Sequence, residues 1–266
     1  MDGNQNNTNN SIQSDIVLEE LTENGVMRLT LNDNKRRNAL SEEMMAKLIK
    51  SLDQASTNDA VRVIVIAGTG PAFCAGHDLK QMSAGRNNAD NGHEYFKKVF
   101  TVCSKLMQLI VNNPKPVIAE VAGVAAAAGC QLVACCDLAI AGESARFVTP
   151  GVNIGLFCST PMVALSRNVS NKAAMEMLLT GEMVNSKKAE HIGLINRVVD
   201  DKKITEATMA MAEIIAPKSR MTVKTGKQAF YRQKEMSLTD AYDYASSVMV
   251  ENMLKSDAKE GIDAFS

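Results

Sequence analysis

Tryptophan is absent from the 266-residue chain, aromatic residues make up 4%, and there are three histidines. The histidines, His77, His93 and His191, have no spacing that suggests a metal site, so metal-dependent chemistry is not expected. Walker-type, G-x-S-x-G and H-E-x-x-H motifs are missing. Gly68-Thr69-Gly70-Pro71-Ala72-Phe73 fails the dinucleotide fingerprint at its last position. No apolar run reaches the ~18 residues of a membrane span. A formal net charge of −1 gives no electrostatic case for nucleic acid or anionic lipid as partner. None of the six cysteines stands in a C-x-x-C pair, and Cys135 and Cys136 are adjacent. That suits neither a disulfide framework nor a zinc site and points to a reducing compartment.

Apolar residues, in contrast, make up 45% of the chain and sixteen of them are methionines, which pack cores and line apolar pockets. Residues 1–15 are Asn/Gln/Ser-rich without a basic residue. They resemble neither a signal peptide nor an Arg-rich transit peptide and are expected to form a disordered tail. The sequence as written therefore suggests the cytoplasm, or the mitochondrial matrix if an upstream segment was removed.

Periodicity predicts an α/β core over residues 16–200 and a helical part over 201–266. Residues 16–22 and 25–32 alternate around Glu23-Asn24-Gly25 as a β-hairpin. Ser41 is a good N-cap, with Glu42 and Glu43 in the first turn of a helix that runs to about Ala55. The apolar run Val61 to Ile66 reads as a strand covered on both faces. A helix over 92–112 presents Phe96, Val99, Phe100, Cys103, Met107 and Ile110 on one stripe. A strand over 116–121, a helix over 127–136 and a strand over 137–141 follow. Beyond 160, helices are predicted at 161–168, 171–180, 186–192, 203–216, 218–233 and 238–255, with one strand at 195–199.

Two segments stand out. Ala72-Phe73-Cys74-Ala75-Gly76-His77-Asp78-Leu79 and Ala122-Gly123-Val124-Ala125-Ala126-Ala127-Ala128-Gly129-Cys130-Gln131-Leu132 each leave a predicted strand through small residues. Backbone N–H groups are unpaired at such exits and can face a ligand oxygen. Two donors converging on one carbonyl would make an oxyanion hole. Taken alone, Ala125–Ala128 reads as a tightly packed helix start.

These motifs, with Arg37-Asn38-Ala39-Leu40, Ala134-Cys135-Cys136-Asp137-Leu138-Ala139, Arg146-Phe147-Val148-Thr149-Pro150 and Gly155-Leu156, resemble the crotonase (enoyl-CoA hydratase/isomerase) superfamily from about Ile16 to Phe265. The resemblance implies a spiral of ββα turns with a helical C-terminal trimerisation part. It implies an acyl-CoA thioester as ligand, with coenzyme A as part of the substrate and no permanently bound cofactor. A homotrimer or hexamer is implied as well. It places the oxyanion-hole N–H donors at His77 and Ala128, and Arg36, Arg37, Ala39, Ala75, Asp78 and Leu79 along the CoA path. Lys35, Arg36 and Arg37 could neutralise phosphates or form a solvated turn. One branch of the superfamily binds RNA through a Lys-rich helix; the dispersed lysines here do not suit that.

The chain also departs from the pattern. Hydratases of this superfamily use two Glu side chains as acid and base. The first position is Gln131, an amide that can only hydrogen-bond, and the second is Gly151, which has no side chain. Hydratase activity is therefore expected to be weak or absent. Ser159 could bond substrate or cap the following helix, and Cys158 could line the acyl pocket or fill the core. Asp78 is expected to cap or brace its loop, and His93 has a weak claim as a mobile base. A decarboxylase or thioesterase on the same site, or a non-catalytic acyl-CoA binder, remain alternatives.

Overall fold

The computed structural model describes residues 15–265, so the expected tail lies outside the described residues except for Asp15. The chain opens with β1 (Val17–Leu21) and β2 (Val26–Leu31), paired antiparallel with Val17 opposite Leu31. Helix α1 (Glu42–Thr57) starts where Ser41 Oγ accepts from Met44 N–H at 3.2 Å, a cap worth about 1 kcal/mol. Next come β3 (Val63–Gly68), β4 (Ala72–Cys74), α2 (Leu79–Gly85) and α3 (His93–Asn112). They are followed by β5 (Val117–Val121), β6 (Val124–Ala126), α4 (Ala128–Cys135), β7 (Leu138–Gly142) and β8 (Arg146–Val148). The rest is α5 (Ser159–Asn168), α6 (Asn171–Thr180), β9 (Val184–Asn185), α7 (Ser186–His191) and β10 (Arg197–Val199), then helices α8 (Ile204–Ile215), α9 (Arg220–Gln233), α10 (Leu238–Met253) and α11 (Ser256–Phe265).

From β3 to β8 the strands alternate between two sheets. The large sheet has the order β1-β2-β3-β5-β7-β10 and is parallel from β2 onward. The small sheet has the order β4-β6-β8-β9. Each turn of chain thus adds one strand to each sheet before returning through helix, so equivalent exits from the small sheet stack side by side.

The uninterrupted apolar run of β3 follows from this arrangement. Ile64 and Ile66 face the main core with Leu48, Phe73 and Leu106. Val63 and Val65 face the second cluster under α8, with Ile204 and Met211. Glu120 on β5 is a buried exception. Its Oε1 accepts from Arg28 at 2.7 Å and from the Thr205 hydroxyl at 2.9 Å.

Several expectations shift. The strand read at 61–66 begins at Val63, and the stripe of α3 buries Val99, Cys103, Leu106, Met107 and Ile110 while Phe100 is exposed. The short strands of the small sheet, and α2 and α11, carried too few residues or too little pattern to be read.

Helices α9 and α10 contain no buried residue, and a polar anchor holds α9 to the core. Lys227 Nζ donates to Asp137 Oδ2 at 2.7 Å and to the carbonyls of Lys115 and Ile110 at 3.0 and 3.1 Å. Tyr231 donates to Asp137 Oδ1 at 2.9 Å. Lys227→Met strands the Asp137 carboxylate and is expected to cost about 3 kcal/mol. Arg220→Ala, which breaks an exposed pair with Asp59, is expected to cost less than about 1 kcal/mol. Urea denaturation measures both; equal losses would show that α9 is not anchored at Lys227.

Candidate active site

The site forms where the first two strands of the small sheet end. β4 and β6 run parallel with Cys74 opposite Ala125. Three residues further along each strand stand His77 and Ala128. Gly76, at φ +91°, comes so close that a Cβ added there would lie 3.0 Å from Ala126 O and 3.4 Å from Ala128 N. Neither the His77 nor the Ala128 backbone N–H donates a hydrogen bond among the described residues. Two such N–H groups, side by side on chains leaving parallel strands, can hold one carbonyl oxygen.

Each loop is fixed by its own hydrogen bonds. The Asn38 side chain accepts from Asp33 N–H at 2.8 Å and donates to the carbonyls of Thr69 and Ala72 at 2.9 and 2.8 Å. Asn38 itself sits at φ +55°, a left-handed conformation that Asn tolerates. The turn it pins then meets the first loop, with Ala75 N–H donating to Arg37 O at 3.1 Å and Leu40 N–H to Gly76 O at 2.7 Å. On the second loop Ala127 N–H donates to Val148 O at 2.8 Å. Ala127 has φ +49° and ψ −115°, a conformation that strains a residue with a Cβ. Gly129 cannot carry a side chain at all: a Cβ there would sit 2.1 Å from Cys74 O. The small residues of this segment therefore let two protein backbones approach each other, besides any clearance they give a ligand.

Asp78 caps α2, its Oδ1 accepting from Lys80 and Gln81 N–H at 2.9 and 3.2 Å. Arg36 is engaged with three carboxylates: Asp33, Glu43 at 3.6 Å and Asp78 at 3.7 Å. It braces the starts of α1 and α2 around the turn. Lys35 and Arg37 are exposed and make no ion pair among the described residues. Ala39 is buried, Ala75 half-buried, and Leu79 is 62% exposed at the start of α2.

The His77 imidazole lies away from the paired loops, in a crevice with Leu40, Met45, Tyr95 and Val99, edge-on to Phe100 at 5.5 Å between ring centres. Both ring nitrogens are buried without a hydrogen-bond partner among the described residues. Burial holds its pKa below the usual histidine value. The Leu40 carbonyl opposes this only partly, facing the ring outside hydrogen-bonding geometry. His93 is exposed at the start of α3 beside Glu94.

Gln131 follows Ala128 by three residues on the same face of α4. It is 5% exposed, and its Oε1 has no hydrogen-bond partner among the described residues. Gly151 is hemmed in, since a Cβ would lie 2.8 Å from Leu156 O and 2.9 Å from Cys158 Sγ. The space for a side chain at 151 is thus filled by the Leu156–Cys158 turn. In the core next to this turn, burial pushes the Cys130 thiol up to about 12, with neighbouring Cys158 adding to the effect. Ser159 is exposed, and its hydroxyl donates to Phe157 O at 3.3 Å. It does not cap α5; Cys158 occupies the N-cap position. Thr160, which sequence reasoning passed over, lines a cavity with Gln131.

The profile of the Enoyl-CoA hydratase/isomerase family matches residues 21–266, and the chain belongs to that family. Among curated proteins, enoyl-CoA hydratase domain-containing protein 3, mitochondrial, of Homo sapiens is 47% identical over 242 residues, spanning 91% of this chain and 78% of that protein. The protein of the same name from Rattus norvegicus is 44% identical over 243 residues, spanning 91% and 79%. Among solved structures, an enoyl-CoA hydratase of Mycobacterium smegmatis superposes with a TM-score of 0.90 at 48% identity, over 94% of this chain and 96% of that one. Human enoyl-CoA hydratase domain-containing protein 3 gives a TM-score of 0.89 at 43% identity, over 94% and 97%. The fold is the crotonase fold with a helical C-terminal part.

Two outcomes check the site. Because burial lowers the His77 pKa below its unfolded value of about 6.5, stability is full above that pH and is lost as pH falls through the folded value. In His77→Leu, melting temperature should therefore fall less steeply between pH 6.5 and 5; an unchanged slope would acquit the imidazole. Gly151→Glu is expected to destabilise the fold by more than about 2 kcal/mol in urea. A neutral effect would mean the Leu156–Cys158 turn yields freely.

Proposed function

We propose that this protein binds an acyl-CoA thioester and polarises its carbonyl between the backbone N–H groups of His77 and Ala128, with ordinary enoyl-CoA hydration weak or absent. What supports this reading is the parallel pairing of β4 with β6, just beyond which the His77 and Ala128 N–H groups donate no hydrogen bond among the described residues. A thioester oxygen held by both would gain most as negative charge develops on it, because the donors are fixed by their loops. The second half of the reading rests on Gln131 and Gly151. An amide exchanges no proton near neutral pH, and glycine has nothing to exchange. Each missing acid–base group removes about 10²–10⁴-fold in rate.

The CoA moiety is assigned to the mouth formed by Arg37, Ala39, Ala75, Asp78 and Leu79. Exposed Lys35 and Arg37 would meet its phosphates while Arg36 braces the turn. Coenzyme A enters as part of the substrate, not as a resident cofactor. In an enzymatic reading the protein is a lyase or isomerase with a reduced site, or a decarboxylase or thioesterase that needs only carbonyl polarisation. In a non-catalytic reading it retains thioesters as a pseudoenzyme. Exposed apolar residues on α10, including Tyr242, Met249, Val250 and Met253, support a homotrimer or hexamer that covers them. The mitochondrial designation of the relatives supports the matrix over the cytoplasm.

Mass spectrometry of enoyl-, 3-hydroxyacyl- and malonyl-type CoA esters incubated with the protein tests the reading. The expected result is retention of the esters, with hydration slower than that of a two-glutamate relative by at least about 10²-fold. Hydration at the relative's rate would overturn the assignment of Gln131 and Gly151. Release of CO₂ or free CoA would identify the reaction run on the polarised carbonyl. Failure to retain any ester would remove the acyl-CoA reading.

A further inference from the structure

A cavity of about 900 Å³ lies alongside α4, walled on its other sides by α3, α5, α9 and α10. Its size is within the range of pockets that hold small organic ligands. On α4 it is lined by Gln131, Ala134 and Cys135, the continuation of the helix face that starts at Ala128. Buried Gln131, whose Oε1 has no hydrogen-bond partner among the described residues, marks its near end. Met107 and Val163 give the middle apolar walls.

The far end is positive. Asn168 Nδ2 donates to Ala134 O at 2.7 Å, which sets the end of α5 beside the end of α4. Lys234 Nζ donates to Arg167 O at 2.9 Å and so reaches the same end. Three cations, Arg167, Arg232 and Lys234, line the cavity against one carboxylate, Glu235. Glu235 pairs with Arg167 at 3.4 Å, and Arg232 lies over the Tyr244 ring at 4.7 Å. Lys234 has no carboxylate partner among the described residues. These cations are exposed at the cavity's mouth, and an alkyl tail ending here would pair none of them. A carboxylate would form charge-assisted hydrogen bonds. From Ala128 to Cys135 the helical rise spans roughly 10 Å, the reach of about eight carbons joined by single bonds.

We propose that this cavity takes the tail of a medium-chain ω-carboxyacyl thioester, whose terminal carboxylate sits against Lys234 and Arg232. The inference rests on the acyl-CoA reading above and gives it a substrate class: the tail is read by charge at its far end, beyond the carbonyl that the loops polarise.

Isothermal titration of the whole chain with octanoyl-CoA and with suberyl-CoA, its ω-carboxy counterpart, tests this. Suberyl-CoA is expected to bind about tenfold more tightly. The preference should vanish in Arg232→Gln/Lys234→Gln, survive in Lys234→Arg, and leave octanoyl-CoA affinity unchanged in both variants. Equal affinities in the unmodified protein, or a preference that outlives the double substitution, would overturn the inference while leaving the acyl-CoA reading intact. Absence of binding by either ester would overturn both.

Discussion

The close approach of two backbones, where α4 starts against the end of β4, is the constraint around which the site is arranged. Gly129 lies so near Cys74 O that no side chain fits between them, and Gly76 lies correspondingly near Ala126 and Ala128. Parallel pairing of β4 with β6 sets the register, and the glycines let the chains stay in contact beyond the last ladder bond. The result is a rigid pair of exits whose His77 and Ala128 N–H groups have no acceptor among the described residues. Part of what holds them there is strain at Ala127, tolerated because Val148 and the buried helix α4 leave the loop no other course.

Beside these N–H groups, two side-chain positions carry no charge. Gln131 is an amide and Gly151 is bare, while Cys158 takes the space beside Gly151. At position 131, which is 5% exposed, a carboxylate would carry a large desolvation cost. The amide avoids that cost and keeps hydrogen-bonding capacity. The two positions are linked structurally: the turn that fills the space beside Gly151 also supplies Cys158, which starts α5 and brings Thr160 to the cavity beside Gln131.

Much of this was legible in the sequence, and the failures have physical causes. The hairpin, α1 and the β3 run were readable because their periodicity extends over enough residues to show which faces are covered. The small sheet was not, because strands of two or three residues display no period, although it sets the register of the site. The small-residue exits that hold His77 and Ala128 were visible as motifs. The direction of the His77 imidazole could not, since it depends on the crevice between α1 and α3. Asn38 appeared only as part of a matching motif. Its task of tying the 33–38 turn to the 69–72 turn needs long-range partners that no local pattern reveals. Thr160 drew no notice because only the packing of α4 against α5 shows that it lines the cavity.

Helix α9 is tied to the core chiefly by a polar anchor, whereas α8 packs by apolar burial. Helix α9 has no buried residue of its own, so apolar burial contributes little to holding it. Lys227 and Tyr231 converge on Asp137, which also accepts from Val117 N–H at 2.7 Å. The same helix presents Gln228, Tyr231, Arg232 and Lys234 to the cavity beside α4, so anchor and cavity wall alternate along one short stretch. Anything that loosens Lys227 from Asp137 must therefore displace the wall facing Gln131. A ligand spanning from α4 to α9 must in turn stabilise that docking, because only the docked arrangement offers both of its ends a partner.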